Sequence, residues 1–279
     1  MRLRLGRVRY INCEPVYYGL EQGLVAADCD ILDGTPAELN GLLRAGDLDV
    51  SVVSAMEAAL RPAAYRLLPD LAIACDGPVE SVQLLCERPV EELDGLPVSL
   101  TRHSLTSVYL VKLLLEKAYQ VRPRFVADDK AAAARLVIGD EALRLGPNCP
   151  HPLDLGKAWH ALTGLPFVFA VWAVRAEVWA ARADEVRRLH RALLQSKAYS
   201  LAHPDAVMTL AAARVDMPPE ACRRYLRERL CFDLGPRHLV GLRTFLQMLA
   251  DAGALPAVPT LSFISSGDPT EDTAWRAGA

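Results

Sequence analysis

The chain has 279 residues, of which 52% are hydrophobic and 23% are charged, and its formal net charge is −3. This length and composition are ordinary for a globular protein with one large or two medium domains. The charge balance offers neither the basic field that nucleic acids require nor a cationic face for membranes, so we expect neither as a partner.

The N-terminus and the cysteines indicate a reducing compartment. Residues 1–9 are basic, but no apolar run of signal-peptide length follows them, and no stretch is apolar enough to span a bilayer. The seven cysteines are scattered, with no C-x-x-C pair and no histidine cluster near them, which argues against a disulfide framework and against a metal site. We therefore expect a cytoplasmic protein without a metal.

The first part of the chain alternates short apolar runs with helical patterns. Strands are predicted at residues 3–11, 29–32, 49–53 and 65–74, and helices at 15–23 and 36–45. Ser54 follows the third strand and is placed to cap a further helix. This alternation predicts parallel strands joined by crossover helices.

The pattern restarts near residue 82 and finishes as a run of helices. Strands are predicted at residues 82–87, 97–100, 124–127, 136–138 and 167–174, and a long apolar helix at 104–119. Helices are then predicted at residues 178–203, 204–215, 219–230 and 236–252.

Two α/β sets followed by helices predict an α/β protein with two lobes and a ligand cleft between them. We expect the chain to cross between the lobes near residues 77–81 and 167–171, with the C-terminal helices packed back on the first lobe. Lobe 1 is then expected to comprise residues 1–80 and 170–279, and lobe 2 residues 81–169. A single larger sheet is the alternative that periodicity leaves open.

Small polar residues follow nearly every predicted strand. They are Asn12, Ser54, Ser81, the group Thr101, Ser104, Thr106 and Ser107, and Asp140. Each one alone is typical of a helix N-cap, which stabilises a helix by about 1 kcal/mol without any ligand. Their repetition at the strand ends favours a binding cleft, where helix N-termini accept carboxylate or phosphate.

Side chains for acid–base or cofactor chemistry are sparse. The sequence contains no G-x-S-x-G, no H-E-x-x-H, no P-loop and no dinucleotide-binding glycine motif, so we expect no cofactor. His103, beside the Ser/Thr group, and Glu80, at the first crossing, are the candidate bases. Glu57 is expected to face solvent.

Several segments, taken in order, resemble one enzyme family. They are RYINCEPVYYGL (9–20), LRAGDLDVSVVSAMEAAL (43–60), GPVESVQL (77–84), LTRHSLTSVYLVKLLL (100–115), LVIGDEAL (136–143) and DLGKAWHALTGLPFVFAVWAVR (154–175). Together they resemble the chorismate dehydratase family of the futalosine route to menaquinone. A sister family with the same fold makes 1,4-dihydroxy-6-naphthoate, but its opening motif carries Pro-Asn-Asp, whereas this chain has Tyr-Ile-Asn-Cys-Glu-Pro. A plain small-acid binding protein is the other alternative, because this fold hosts both uses.

The resemblance implies a type II periplasmic-binding-protein fold and a hydro-lyase that converts chorismate to 3-[(1-carboxyvinyl)oxy]benzoate. It places the asparagine of the opening motif on Asn12, the hinge serine on Ser81 and the Ser-x-Thr-Ser group on residues 104–107. Glu14 departs from the Leu-Pro that is common after the asparagine. Since no carboxylate pair is available, we hypothesise that the enolpyruvyl carboxylate of the dicarboxylate substrate accepts the proton, while Asn12 and Ser81 orient it.

Overall fold

Two sheets, each flanked by helices, form the two lobes of the molecule. The structure is a computed structural model that describes residues 1–127, 129, 131–215 and 217–265. Its strands are β1 (Leu3–Val8), β2 (Cys29–Gly34), β3 (Val50–Ser54), β4 (Tyr65–Cys75), β5 (Val82–Cys86), β6 (Pro97–Leu100), β7 (Arg124–Ala127), β8 (Ala134–Ile138), β9 (His151–Asp154) and β10 (Phe167–Arg175). The two-lobed prediction is confirmed, and the single-sheet alternative is wrong.

Helices surround both sheets and make up most of the C-terminal part of the chain. They are α1 (Glu14–Glu21), α2 (Pro36–Ala45), α3 (Ala55–Leu60), α4 (Leu105–Lys117), α5 (Gly139–Leu145), α6 (Leu155–Thr163), α7 (Ala176–Ala202), α8 (Pro204–Val215), α9 (Pro219–Arg224) and α10 (Pro236–Asp251). Short 3-10 turns occur at Ile11–Cys13, Val90–Glu92 and Gly146–Asn148, and a π-helical turn at Tyr225–Arg229. Across the described ranges, every helix is too short or too polar to cross a bilayer.

The first sheet has the strand order β2-β1-β3-β10-β4, and the second has the order β7-β6-β8-β5-β9. The parallel pairing expected for the first part of the chain is confirmed between β1, β2 and β3, and β6 pairs in parallel with β7 and β8, but each sheet also contains one antiparallel strand. In the first sheet β10 runs antiparallel to β3 and β4, and in the second β5 runs antiparallel to β8 and β9. The reason is that β10 and β5 are the strands that enter each sheet from the other lobe, so they arrive from the opposite direction.

The chain changes sheet twice. It leaves β4 at Cys75 and enters β5 at Val82, then leaves β9 at Asp154 and re-enters the first sheet at Phe167, which pairs with Cys75. The first change of sheet falls between residues 75 and 82, around the expected residues 77–81. The second falls between residues 154 and 167, just before the expected residues 167–171. The division of the lobes at residues 80–81 and 169–170 stays a prediction.

Asp154 holds the first crossing in place. Its carboxylate accepts hydrogen bonds from the backbone N–H of Val79 (3.1 Å) and of Glu80 (2.7 Å). It also caps α6 by accepting from the Lys157 N–H at 2.9 Å. Glu80 itself has a φ of 59°, in the left-handed region that non-glycine residues rarely adopt. One half-buried carboxylate thus fixes the turn that leads from the first lobe to Ser81.

The longest of the C-terminal helices packs on elements of the first sheet and its flanking helix. Helix α7 packs against α1, β4 and β10, while α10 contacts β10 and also α4 of the second lobe. After the π-helical turn, Cys231 bridges to Ala74 of β4, and Phe263 bridges to Leu67 of the same strand. These bridges tie the C-terminal part of the described chain to the edge of the first sheet.

Local sequence signals account for the helices that position the cleft. Helix α2 begins with a capping box between Thr35 and Glu38 and ends at Gly46, whose φ is 88°. Beneath the sheet, the hydroxyl of the fully buried Tyr17 donates to the Gly6 carbonyl at 2.8 Å, and the Trp172 indole donates to that hydroxyl at 3.0 Å. This buried chain of hydrogen bonds joins α1 to β1 and β10 and makes a rigid floor for the first lobe.

Candidate active site

A cavity lies between the lobes, where the ends of β1 and β3 and the start of β10 face the starts of β5, α4 and α5. It is lined by Val8, Tyr10, Asn12, Cys13, Pro36, Val52, Val53, Ser54, Ile73, Ser81, Val82, His103, Ser104, Ser107, Ile138, Gly139, Phe169 and Ala170. Its volume of about 70 Å³ is well below the roughly 300–1,000 Å³ typical of small-molecule sites. The lobes are therefore close together, and they need to separate before a ligand of ordinary size fits between them.

Hydrogen bonds between the lobes close the cavity at two places. The hydroxyl of Thr106 on α4 accepts from the Met56 N–H of α3 at 3.1 Å, and this oxygen is fully buried. The Asp140 carboxylate at the start of α5 accepts from the Ile11 N–H at 3.2 Å. Next to this bond, Gly139 (φ 61°) lies against the ring of Tyr10, where a Cβ would stand 3.0 Å from ring carbons. Glycine thus permits the close approach of the lobes at this point.

Asn12 lies on the 3-10 turn that follows β1 and lines the cavity. Its Oδ1 atom is buried and has no hydrogen-bond partner among the described residues. A buried amide oxygen without a partner is unfavourable by about 1–3 kcal/mol. This oxygen is therefore available to a donor that enters the cavity with a ligand.

The hydroxyl of Tyr225 meets Asn12 and Ser81 behind the cavity wall. Tyr225 is fully buried on the π-helical turn, and burial raises the pKa of its phenol well above the ordinary value, while Ser81 and Asn12 are close enough to oppose that rise. No hydrogen bond of normal geometry satisfies the Tyr225 hydroxyl within the described residues. Ser81 is 1% exposed, and its carbonyl accepts from the Gly139 N–H at 2.7 Å. The two residues that the sequence proposed as catalytic are thus brought together around one neutral phenol.

Three serine hydroxyls line the cavity beside these groups. Ser54 caps α3 by accepting from the Glu57 N–H at 3.1 Å, and Ser104 caps α4 by accepting from the Ser107 N–H at 3.2 Å. The Ser104 and Ser107 hydroxyl oxygens are 2.8 Å apart, so one donates to the other and the remaining hydrogen is free to point into the cavity. Together with the N-terminus of the thirteen-residue helix α4, this pair is suited to hold a carboxylate.

The other three residues proposed from the sequence do not line the cavity. Thr106 faces α3, as described, and Thr101 accepts from the His103 N–H at 3.1 Å. Asp140 lies behind the wall, where burial raises its pKa to about 6 although the Ile11 N–H, Arg144 and Arg214 act in the opposite direction. These side chains shape the cleft from behind its surface.

The two candidate bases have different surroundings. His103 lines the cavity and is exposed. Glu80 turns away from the cavity toward Arg229 (2.6 Å) and Arg224 (3.3 Å). Burial alone would raise the pKa of Glu80, but the hydrogen bonds from both arginines outweigh it and lower the pKa. Glu80 therefore joins the crossing to the C-terminal helices.

The expectation that Glu57 faces solvent is wrong. Its side chain is 1% exposed and accepts from Arg44 (3.0 Å), Arg61 (3.1 Å) and the Tyr65 hydroxyl (3.2 Å). Glu14, which departs from the family motif, is also buried and pairs with Arg214 of α8. Burial raises the pKa of Glu14, and Arg214 opposes that effect. Both carboxylates thus lie in ion pairs within the first lobe and its helices.

Sequence reasoning missed Tyr225, Tyr10 and Phe169. Tyr10 stands two residues before Asn12 in the opening motif, so its position was a usable signal. Phe169 lies in the apolar strand β10, where the hydrophobic pattern does not show which side chains point toward the cavity. Tyr225 is more than two hundred residues from Asn12, and nothing local to it indicates the contact. Within the described ranges, no group of three or more His, Cys, Asp or Glu residues is arranged to hold a metal ion.

Comparison with known sequences identifies similar proteins over most of the chain. A family model described as menaquinone biosynthesis matches residues 3–251. The chain is 33% identical to the chorismate dehydratase of Thermus thermophilus over 278 residues, which covers 91% of this chain and 96% of that protein. It is 31% identical to the chorismate dehydratase of Campylobacter jejuni over 171 residues, which covers 59% and 64% of the two chains.

Solved structures share the architecture at low sequence identity. Protein AF1704 of Archaeoglobus fulgidus superposes with a TM-score of 0.74 at 19% identity, covering 91% of this chain and 98% of that one. The CA3427 product of Candida albicans, described as having the generic periplasmic-binding-protein fold, gives 0.71 at 12% identity, with coverages of 97% and 99%. The alkanesulfonate-binding protein SsuA of Xanthomonas axonopodis gives 0.66 at 13% identity, with coverages of 94% and 96%. These likenesses confirm the expected fold.

Proposed function

Because the chain belongs to the chorismate dehydratase family of menaquinone biosynthesis, we propose that it removes one water molecule from chorismate to give 3-[(1-carboxyvinyl)oxy]benzoate. As a member of this family the chain is an enzyme with a small-molecule substrate. The observation that carries the finer assignment is the meeting of Asn12 and Ser81 at a closed cavity rich in neutral donors. Such a site suits an elimination that needs orientation more than a strong protein base.

The serines account for binding of the substrate's carboxylates. The Ser104–Ser107 pair and the N-terminus of α4 would hold one carboxylate, with one hydroxyl hydrogen of the pair directed at it. Ser54 lines the same cavity and can donate to a second acceptor. No arginine or lysine occurs among the described lining residues, so hydroxyl and backbone N–H groups supply the recognition.

The proton is taken up by the substrate itself. The enolpyruvyl carboxylate removes the hydrogen from the ring carbon that bears its own ether oxygen, and the bond between the neighbouring ring carbon and the hydroxyl breaks. The carboxylic acid formed in this way passes its proton to the departing hydroxyl, which leaves as water and restores the carboxylate. The ring becomes aromatic, which drives the step. Since Glu80 is occupied by Arg229 and Arg224, it has no role as base in this scheme.

Asn12 and Ser81 orient the reacting groups. The unpartnered Oδ1 of Asn12 can accept from the substrate's ring hydroxyl, and its amide N–H and the Ser81 hydroxyl can donate to the enolpyruvyl group. The Tyr225 hydroxyl lies behind both, close enough to interact with each of them, and would help to position them. Closure of the lobes through Thr106 and Asp140 excludes bulk water and strengthens these hydrogen bonds.

The test is direct. The purified protein is incubated with chorismate, and the products are separated and identified by mass spectrometry against authentic 3-[(1-carboxyvinyl)oxy]benzoate. We expect a product lighter than chorismate by one water that co-elutes with the standard. Chorismate that is bound but recovered unchanged would instead identify a binding protein and contradict the proposal.

A further inference from the structure

A second cavity, separate from the cleft, lies among the C-terminal helices. It has a volume of about 240 Å³, larger than the closed cleft. Its lining comes from the start of α1, the end of α7, the start of α8 and the segment that follows α9. The lining residues are Pro15, Ser200, Leu201, Pro204, Val207, Met208, Leu226, Arg227 and Leu230. We propose that this cavity is a binding site for a small monocarboxylate with an apolar body.

The walls of this second cavity favour an apolar body. Val207, Met208 and Leu226 are almost completely buried around it, whereas Leu201 is 46% exposed at its rim. The cavity surface is divided between apolar and polar atoms, and the exposed leucine at its rim leaves apolar surface in water that a ligand would cover. An aliphatic or aromatic body is therefore favourable against the apolar part of this wall.

Two polar groups in the same wall indicate which polar group of a ligand would bind there. Ser200 is 3% exposed, and its hydroxyl oxygen is buried without a hydrogen-bond partner among the described residues. Arg227 lines the cavity and is exposed, and no carboxylate of the described chain pairs with it. A buried hydroxyl and a free guanidinium within one small cavity select an anionic oxygen acid, which arginine binds with paired N–H donors.

The surrounding charges favour an anion at this position. The neighbouring acid, Asp205, is neutralised by Arg223 at 2.6 Å. Glu80, on the other side of the π-helical turn, is paired with Arg224 and Arg229. Glu228, next to Arg227 on the same turn, is exposed, and no ion pair joins the two in the described chain. Arg227 is thus an arginine of this helical segment without an ion-pair partner, and a ligand carboxylate can supply one.

The site is distinct from the cleft but adjoins it. Leu226 and Arg227 directly follow Tyr225, whose hydroxyl faces Asn12 and Ser81 on the other side of the same turn. Pro15 follows Cys13, which lines the cleft, by two residues. The two cavities therefore lie on opposite sides of the π-helical turn and of the start of α1.

The test measures binding of octanoate, an eight-carbon monocarboxylate, by isothermal titration calorimetry with the full-length protein. We expect saturable one-to-one binding that Arg227→Gln weakens about fivefold or more, as for loss of a charge-assisted hydrogen bond. Arg188→Gln, which removes an exposed arginine elsewhere on α7, is the matched control and should bind octanoate like the unmodified protein. The neutral analogue octan-1-ol should bind more weakly than octanoate.

Variants that fill the second cavity test whether octanoate binds there. Val207→Trp and Ser200→Leu fill the cavity from opposite walls, and each should abolish octanoate binding while circular dichroism shows a folded chain. Ser104→Ala, in the cleft, should leave octanoate binding unchanged. Absence of saturable binding would overturn the proposal. So would binding that Arg227→Gln and whichever filled variant folds leave unchanged, whether or not Ser104→Ala alters it. None of these outcomes depends on turnover of chorismate, so they are separable from the proposed function.

Discussion

The hydroxyl of Tyr225 faces the side chain of Asn12 across the floor of the cleft, and both Tyr225 Oη and Asn12 Oδ1 are buried without a satisfying hydrogen bond in the described chain. The contact joins the first strand's end to a π-helical turn far along the sequence. Unsatisfied buried polar atoms are rare in folded proteins and concentrate at functional sites. This relationship leads to the first prediction.

Tyr225→Phe should lower the turnover rate while leaving the stability of the protein nearly unchanged. We expect kcat to fall about tenfold, less than for loss of a donor that contacts the substrate, because Asn12 and Ser81 lose the group that fixes them. The free energy of unfolding should stay within about 1 kcal/mol of the original or rise, since the lost hydroxyl was unsatisfied.

Tyr65→Phe is the matched control for Tyr225→Phe. Its hydroxyl donates to the buried Glu57 carboxylate at 3.2 Å, away from the cleft. This variant should lose about 1–3 kcal/mol of stability and keep its kcat. Urea unfolding and steady-state kinetics with chorismate decide between the two patterns. Equal turnover in Tyr225→Phe and the unmodified protein would refute the positioning role.

Thr106→Val should weaken closure of the lobes. The substitution preserves shape but removes the oxygen that accepts from the Met56 N–H at 3.1 Å. Burying that N–H without a partner costs about 1–3 kcal/mol in the closed state, while in the open state water can satisfy it. We expect KM for chorismate to rise about fivefold or more with a smaller change in kcat. A KM equal to that of the unmodified protein would show that this hydrogen bond does not govern closure.

Asp140 should make the folded state less stable as pH rises. Burial raises its pKa to about 6 in the folded protein, against about 3.9 in an unfolded chain. Between these two pKa values the folded state binds more protons than the unfolded state. The free energy of unfolding that Asp140 contributes therefore falls as pH rises, and the loss is complete above the folded-state pKa. Asp140→Asn keeps an oxygen for the Ile11 N–H and removes the titration.

The comparison for Asp140 uses urea unfolding at pH 4 and pH 7.5. From pH 4 to pH 7.5, we expect the free energy of unfolding of Asp140→Asn to rise by about 2 kcal/mol relative to that of the unmodified protein. Asp184→Asn, which changes an exposed carboxylate on α7, should show no such gain. Parallel stability curves for Asp140→Asn and the unmodified protein would contradict the raised pKa.

Chelation should leave turnover intact. The described lining of the cleft offers hydroxyls, one amide, one imidazole and the single thiol of Cys13 rather than the cluster of carboxylate, thiolate or imidazole groups that binds divalent ions tightly. We expect the rate with chorismate to be unchanged after exhaustive dialysis against EDTA. Loss of activity that one divalent ion restores would require a different chemistry.

Much of the fold was accessible from local sequence signals. Helix α2 (Pro36–Ala45) and strand β6 (Pro97–Leu100) lie at the predicted residues because a capping box, prolines and a terminal glycine mark their ends. Strand β9 (His151–Asp154) was not predicted, since two exposed residues and a proline hide its pairing with β5. Its existence depends on the second sheet being already in place.

The candidate site was accessible in part. Ser54 and Ser104 were expected from the capping pattern, and both line the cleft as helix caps. Thr106 lies two residues after Ser104, and Asp140 follows another strand of the same lobe, yet both side chains accept hydrogen bonds from the opposite lobe. Helix geometry turns neighbouring residues such as Ser104 and Thr106 to different faces. Tyr225 required the tertiary fold.

The measurement that tests the central claim most directly is turnover of chorismate by Asn12→Ala beside His103→Ala, at several pH values. If the substrate's carboxylate takes the proton and Asn12 orients it, kcat of Asn12→Ala falls by roughly 10²-fold or more, and Ser81→Ala follows more mildly. His103→Ala and Glu80→Gln then keep a substantial rate with an unchanged pH profile. A nearly normal Asn12→Ala together with an inactive His103→Ala or Glu80→Gln would show that a protein side chain is the base and contradict the account.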